Sequence, residues 1–532
     1  MKQIDADGVN GDTQDGVPLA FSLAAEKVGR PLAFEPERGP ADEGLAWNVL
    51  TWGQYQYTFV PTVDKYRWLE PRHQVHIQGR WDRDETDALQ YAFFNGEGWE
   101  NVWGTWNGVT PRDGEATRRV ATIERAVAPF FASQSWEPLY PMLKYGVFSS
   151  RWPLADQTLW TSVNRNEYNV DGNQMTTPYK QGMRYFDLYH GVELKPEIKD
   201  NQAVLSFSTE SHGYAAIFAS SAELEPNLRE LMEKMKGMTA KPLSAYSHEW
   251  HTLPQQMVEI PPSTRAATAP EGMIPIEGSD YLFRVQGMEI EGSNDVGVDV
   301  QYPWEDSPRR FHEHPMQIKP FFIDKYPVTN AEFKKFLDTT HYHPKDSLNF
   351  LKDWKDGSYP DGWAKKPVTW VSIEDAREYA KWAGKRLPHE WEWQYAAQGN
   401  DGRIFPWGNC DWLASSRGGG PAACASDNNA AAPTPDKGRT MLPPGNVDAY
   451  PNGASPFGVM DMVGNVWQWT DEYVDEHTRA AIVRGGNHYQ PQGSIWYFPQ
   501  AYRNEQHGKL LLMAPSYDRS GTLGFRCVKD AQ

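Results

Sequence analysis

Two helix-start signatures do most to restrict what this chain can fold into. In Thr329-Asn330-Ala331-Glu332 the threonine oxygen accepts from the first turn and the glutamate reaches back to the cap, so a helix begins there. Phe333, Phe336 and Leu337 then recur at helical spacing. Ser372-Ile373-Glu374-Asp375 repeats the device. Ala376, Tyr379, Ala380 and Ala383 form its apolar stripe, and Gly384 ends it. Pro388 suits the first turn of a third helix, His389 to Ala397.

The front of the chain follows another rhythm. QIDADGVNG (3–11) reads as a strand, Leu19 to Val28 as a helix closed by Gly29, and RPLAFEPE (30–37) as a second strand. Strand, helix and strand in so short a span imply a parallel crossover. Further helices are expected over Asp84 to Phe94 and Glu115 to Val127. In the second, Val120, Ile123 and Val127 share a face and Pro129 acts as the stop. Residues 1–131 thus read as a partial (β/α) barrel. A whole barrel takes about 250 residues, and nothing precedes the first strand to close against it, so the chain reads as starting inside a longer protein.

Acids at the C-terminal ends of barrel strands are where catalysis sits. Asp12 and Asp15 follow the first strand, and Glu35 and Glu37 end the second. Asp12 and Glu35 are the candidate catalytic pair, because glycosidic cleavage needs one carboxyl to donate a proton and another to attack or to activate water. In this arrangement the front resembles bacterial glycoside hydrolases. Residues 132–222 read as a small antiparallel β-sandwich: Leu159, Thr161 and Val163 alternate, Asp171-Gly172 marks a turn, and Val204–Ser208 and Tyr214–Ala219 are strands. Residues 223–271 hold a helix from Pro226 to Met235 and the linker IPPSTRAATAP (260–270).

Charge and composition remove some function classes. With 52 basic against 70 acidic residues, net charge −18, the chain has no basic stripe for nucleic acid. No apolar run is long enough to span a membrane, and the start, MKQIDADGVNGD, lacks the basic-then-apolar order of a signal peptide. An extracytoplasmic location stays open if the front is truncated. Three cysteines, Cys410, Cys424 and Cys527, form no disulfide framework; Cys410 and Cys424 are either one bridge or two free thiols. The 23 Trp, 25 Tyr and 22 Phe are enough to pack loop-rich cores and to line sugar sites.

From residue 272 to 532 the chain resembles the sulfatase-modifying factor family, the formylglycine-generating enzyme fold. FFIDKYPVTNAEF (321–333), PVTWVSIEDAREYAKWAGKRLPHEWEWQYAA (367–397), FPWG (405–408), SPFGVMDMVGNVWQWTDE (455–472), RGG (484–486) and LGFRC (523–527) carry the resemblance, in family order. It implies a mixed α/β domain with much irregular structure, related to C-type lectins. It also implies copper(I) on two cysteines just after Arg-Gly-Gly, since soft thiolates hold that ion. The matching positions here fall at about Gln490 and Ile495, neither of which ligates copper(I), so copper is not expected. A second branch holds iron on three histidines with a His-x-x-x-His pair, a spacing absent from this chain. His312-Glu313-His314 suits a strand, and with His341 and His343 it reads as surface histidine.

His488, Tyr489, Trp496, Tyr497, Arg503 and His507 fall where the resemblance puts the substrate groove, and are the expected substrate-binding set. The segment DMVGNVWQ implies a calcium site at Asp461, Gly464, Val466 and Gln468, weakened because Gln468 stands where the family often has glutamate. The expectation is a multidomain bacterial protein of carbohydrate metabolism. Its back domain would bind a carbohydrate or glycoconjugate without oxidising cysteine, and any catalysis would lie in the glycosidase-like front. The alternatives are a formylglycine-generating oxidase or other oxygen-dependent member of the family, and a non-catalytic scaffold.

Overall fold

The computed structural model describes residues 6–11, 14–52, 61–77, 84–99, 109–288, 299–411, 431–433, 441–476, 478–489 and 500–532. The chain divides into two compact units, Met1–His251 and Thr252–Gln532. No described helix is long and apolar enough to cross a membrane.

The front unit begins with parallel strands alternating with helices. Gly8–Gly11 pairs in parallel with Ala33–Pro36, and Leu50–Trp52, Gln74–Ile77 and Gly98–Trp99 form a parallel three-stranded sheet. The register sets Asn10 opposite Glu35, Trp52 opposite His76 and His76 opposite Gly98. These residues sit at or next to the C-terminal ends of their strands. The helix expected over 115–127 runs instead from Pro111 to Phe131. Thr110 caps it, accepting from the Asp113 N–H at 3.1 Å. Pro129 lies inside its last turn rather than stopping it. So close to the end only one backbone bond is forfeited, and buried Phe130 and Phe131 hold the final turn.

The rest of this unit is antiparallel. A six-stranded sheet runs, in spatial order, Val192–Leu194, Arg184–Asp187, Tyr214–Ser220, Gln157–Asn164, Val147–Leu154, Glu137–Tyr140. A three-stranded sheet holds Glu197–Lys199, Gln202–Ser206 and Asn173–Pro178. Strand alternation splits the apolar side chains between two cores. Trp160, Tyr185 and Ile217 pack with Met175 and Leu205. Leu159, Val163 and Phe218 pack with the Pro111–Phe131 and Pro226–Met238 helices.

In the back unit both capping boxes form, at Thr329/Glu332 and Ser372/Asp375, opening the helices Asn330–Thr340 and Ile373–Trp382. Their apolar stripes meet Phe525, Cys527 and Trp469 in one core. The third helix, Glu390–Gln398, packs its Trp393, Tyr395 and Ala396 into a second. The principal sheet has the order Gln256–Met257, Trp467–Val474, Arg479–Arg484, Gln506–Leu511, Ser279–Gly287, Phe311–Ile318, with Leu523–Gly524 on the side. Met273–Ile276, Phe321–Asp324 and Val528–Asp530 make a smaller sheet.

Candidate functional site

The His-Glu-His triplet does lie on a strand, Phe311–Ile318, but His312 is not a surface residue: it is 1% exposed. Alternation turns its side chain into the core while neighbouring Phe311 and Glu313 stay exposed. Across the sheet His312 pairs with Val285, and on the other side of that strand Gly287 pairs with His507. Two imidazoles from distant parts of the sequence are thereby brought under one loop residue, Asp299.

The geometry is tight and polar. Oδ2 of Asp299 lies 2.5 Å from Nε2 of His507 and 3.5 Å from Nε2 of His312. Each ring is held from behind by a carboxylate. Nδ1 of His507 is 2.7 Å from Oε2 of Glu390, and Nδ1 of His312 is 2.8 Å from Oε1 of Glu305. Glu390 also accepts from the Tyr302 hydroxyl and, at 3.2 Å, from Arg484. Arg484 donates onward to Gln394 at 3.0 Å and to the Asn504 carbonyl. Lys509 donates to the Asp299 carbonyl at 2.6 Å. Gly287 makes the packing possible, because a Cβ there would land on the Asp299 carboxylate.

Electrostatics follow from burial and pairing. Burial raises the Asp299 carboxyl, but the two imidazoles outweigh it and hold it well below the usual carboxylate range. Burial lowers His507, yet Asp299 and Glu390 push it up to about 10. His312 is likewise raised, with Asp299 and Glu305 overcoming its burial. Beside this cluster Trp304, Glu305, Asp306, Arg309, Phe311, Glu313 and His314 line an open cleft of about 530 Å³. Trp304 lies stacked there between Tyr302 (4.7 Å) and His314 (4.2 Å).

The residues expected to form the substrate groove take separate roles where they are described. His507 belongs to the buried cluster just described. His488 is also buried, with Nδ1 2.8 Å from the Asn465 carbonyl and Nε2 2.7 Å from that of Leu442, so it braces two loops and faces no ligand. Arg503 is exposed and paired with Glu505. Tyr489 is half-buried, its N–H donating to Asn487 at 2.7 Å. Trp496, Tyr497, Gln490 and Ile495 lie outside the described residues. No motif or spacing in the sequence marks Asp299, Glu305 or Glu390. The signals present were a histidine at a core-facing strand position and an acid in the first turn of a predicted helix.

In the loop expected to hold calcium, the oxygens of Asp461 and the carbonyls of Met460 and Met462 accept from protein donors. The Asp461 carboxylate accepts from Asn465 at 2.9 Å, and burial pushes it up to about 7. The Gln468 amide donates to the carbonyls of Asp461 (3.2 Å) and Met462 (3.0 Å). Arg526 donates to those of Met460 (2.9 Å) and Asp461 (3.0 Å). The Gly464 N–H donates to the Gly485 carbonyl at 2.8 Å, and the Val466 side chain is buried. Cys410 is disulfide-bonded, and Cys527 is a free, fully buried thiol raised well above its ordinary value by burial.

In the front unit Asp12 lies outside the described residues. Glu35 forms an ion pair with His76 at 2.9 Å and accepts from Asn10 at 3.0 Å. Burial raises its carboxyl, but these partners outweigh that and leave it lowered. The register sets Asn10 opposite Glu35, and the contact with His76, from a separate parallel sheet, gathers the three near the C-terminal ends of their strands.

Comparison with known proteins bears on the back unit. Residues 260–531 match the family model for the sulfatase-modifying factor enzyme 1-like domain. The chain is 31% identical over 272 residues to a formylglycine-generating enzyme of Streptomyces coelicolor, which covers 41% of this chain and 81% of that one. It is 28% identical over 309 residues to the Bacillus subtilis protein YfmG, covering 52% of this chain and 57% of the relative, so it spans little more than half of that protein. A crystallised Anoxybacillus α-amylase aligns with 42% of this chain and 61% of its own at 15% identity, but its TM-score of 0.31 supports no conclusion about the front unit.

Proposed function

The chain belongs to the sulfatase-modifying factor enzyme 1-like family, and on that premise we propose that its back unit uses the family scaffold to bind a carbohydrate-containing ligand, without copper–thiolate oxidation of cysteine. One observation carries this reading. Between Arg484-Gly485-Gly486 and the end of the chain the sole cysteine is Cys527, whose thiol is sealed in the core and kept protonated by burial. A cuprous site needs accessible thiolates, and the residues present do not fit one. Copper therefore enters no step of the proposed function.

The cleft beside Trp304 is the ligand surface of this reading. Exposed Phe311 offers a flat face for sugar stacking, and Arg309, Asp306 and Glu313 offer hydrogen bonds to hydroxyls. The front unit is the glycosidase-like partner. Glu35, held ionised by His76 and Asn10, suits the carboxylate that attacks or activates water; Asp12 is the proposed proton donor.

The test has three arms. A Cys-x-Pro-x-Arg peptide incubated with the full chain and copper is expected to remain unconverted; formylglycine in the product overturns the reading. Glycan binding, read by calorimetry, is expected to fall at least tenfold in Phe311→Ala. Release of reducing sugar, if it occurs, is expected to vanish in Glu35→Gln with glycan binding intact.

A further inference from the structure

We propose that Asp299, His312 and His507 form a site for one divalent transition-metal ion in the core of the back unit. Three donor atoms from three separate segments converge, all within 4.8 Å of one another. The set is two neutral-capable nitrogens and one carboxylate oxygen. It lacks the sulfur that selects copper(I) and is poorer in oxygen than calcium or magnesium sites require. It suits zinc or iron(II), for which imidazole and carboxylate are ordinary ligands.

The surroundings are built to aim these donors. A ligating histidine is normally oriented by a carboxylate on its other nitrogen. Here both rings are, by two different residues: Glu305 behind His312 and Glu390 behind His507. Glu390 is itself fixed by Arg484 and Tyr302. Lys509 ties down the backbone of Asp299, and the missing side chain of Gly287 leaves space for its carboxylate. All three donor residues are under a tenth exposed, so each arm is locked by packing.

Distance separates this from a plain network of charged hydrogen bonds. With Nδ1 of His312 engaged by Glu305, its Nε2 has Asp299 at 3.5 Å, at the outer limit of a hydrogen bond. Two ligands on one ion, each at about 2.1 Å, sit roughly 3.0–3.4 Å apart. The His312–Asp299 gap, 3.5 Å, lies just beyond the upper end of the separation a shared ion leaves. His507, at 2.5 Å, would move outward by about 0.5–0.9 Å to complete the set.

The full chain, purified without chelator, is expected to carry about one equivalent of zinc or iron by elemental analysis. After stripping, cobalt(II) titration is expected to give visible d–d absorption at a one-to-one end point. His312→Gln and His507→Gln should each abolish that absorption, and Glu305→Gln should weaken cobalt affinity about 10- to 100-fold. His488→Gln, whose ring faces only backbone carbonyls, should leave it unchanged. The wild-type measurement stands even where a variant fails to fold. Metal-free purified protein that also gives no cobalt bands overturns the proposal, as does undiminished cobalt binding in the folded His312→Gln, His507→Gln double variant.

Discussion

Arg484 opens the Arg-Gly-Gly signature, and the structure gives it a framework role that methionine should expose. Its guanidinium is fully buried and donates to Glu390, Gln394 and the Asn504 carbonyl, with Trp393 4.9 Å away across its face. Methionine matches the stem but supplies no donor. Breaking one partner of a buried ion pair costs about 3–5 kcal/mol, and each buried neutral acceptor left bare costs about 1–3 kcal/mol. These do not add, because Glu390 keeps His507 and Tyr302. Burial also depresses the guanidinium's own pKa, so removing the charge returns some desolvation energy. A net loss of about 3–5 kcal/mol is expected, or roughly two to four decades in the population of open states. Hydrogen exchange of the Arg479–Arg484 strand reads this directly, independent of how the front unit unfolds. Arg503→Met is the control: exposed and paired only at the surface, it should shift the same amides by less than about 0.5 kcal/mol. If Arg484→Met exchanges within about threefold of wild type, the signature arginine is not a keystone of this core.

Glu124, half-buried on the Pro111–Phe131 helix, has a sealed Oε1 without a partner among the described residues, and burial pushes its carboxyl up to about 8. The folded chain then keeps a proton that the unfolded chain loses near 4.5, so stability falls as pH rises from about 4.5 to 8, by at most about 5 kcal/mol. Glu124→Gln should flatten that slope and be the more stable protein at pH 9 but not at pH 4, by denaturation or by exchange of the helix amides; an unchanged slope refutes it. Gln468→Glu sets a carboxylate oxygen against the carbonyls of Asp461 and Met462. It should lower the melting temperature of the back unit, by roughly 2–4 kcal/mol in stability, and millimolar calcium should restore it while leaving wild type unmoved. A calcium-induced rise in wild type would show that this loop still holds the ion.

Much of the back unit was legible because its signals are local. Thr329 and Glu332, or Ser372 and Asp375, report a helix start within four residues, and both boxes form. Crossovers at the front were legible from strand–helix alternation. Pro129 misled because a proline's cost depends on how many turns remain after it, which tertiary packing of Phe130 and Phe131 decides. The central cluster was invisible for a different reason. Asp299, His312 and His507 share no spacing; the pairing of Gly287 with His507 alone brings the last beside the others. His312 read as surface because a His-Glu-His triplet carries no apolar flag, although its strand buries every second position in part. Conversely, the family resemblance puts His488 in a groove. Loop packing, which no motif encodes, gave both its nitrogens to carbonyls.

Val528–Asp530 pair with Phe321–Asp324, and Arg386 and Ser263 clasp Asp530. During synthesis that earlier strand must wait, one edge bare, while about 200 further residues emerge, some 10–40 seconds at ribosomal speed. An unsatisfied strand edge is a template for the wrong partner. The nascent back unit therefore depends on something to shield that edge until Val528–Asp530 have emerged, and its quality in a heterologous host should track elongation rate and chaperone supply more than thermodynamic stability.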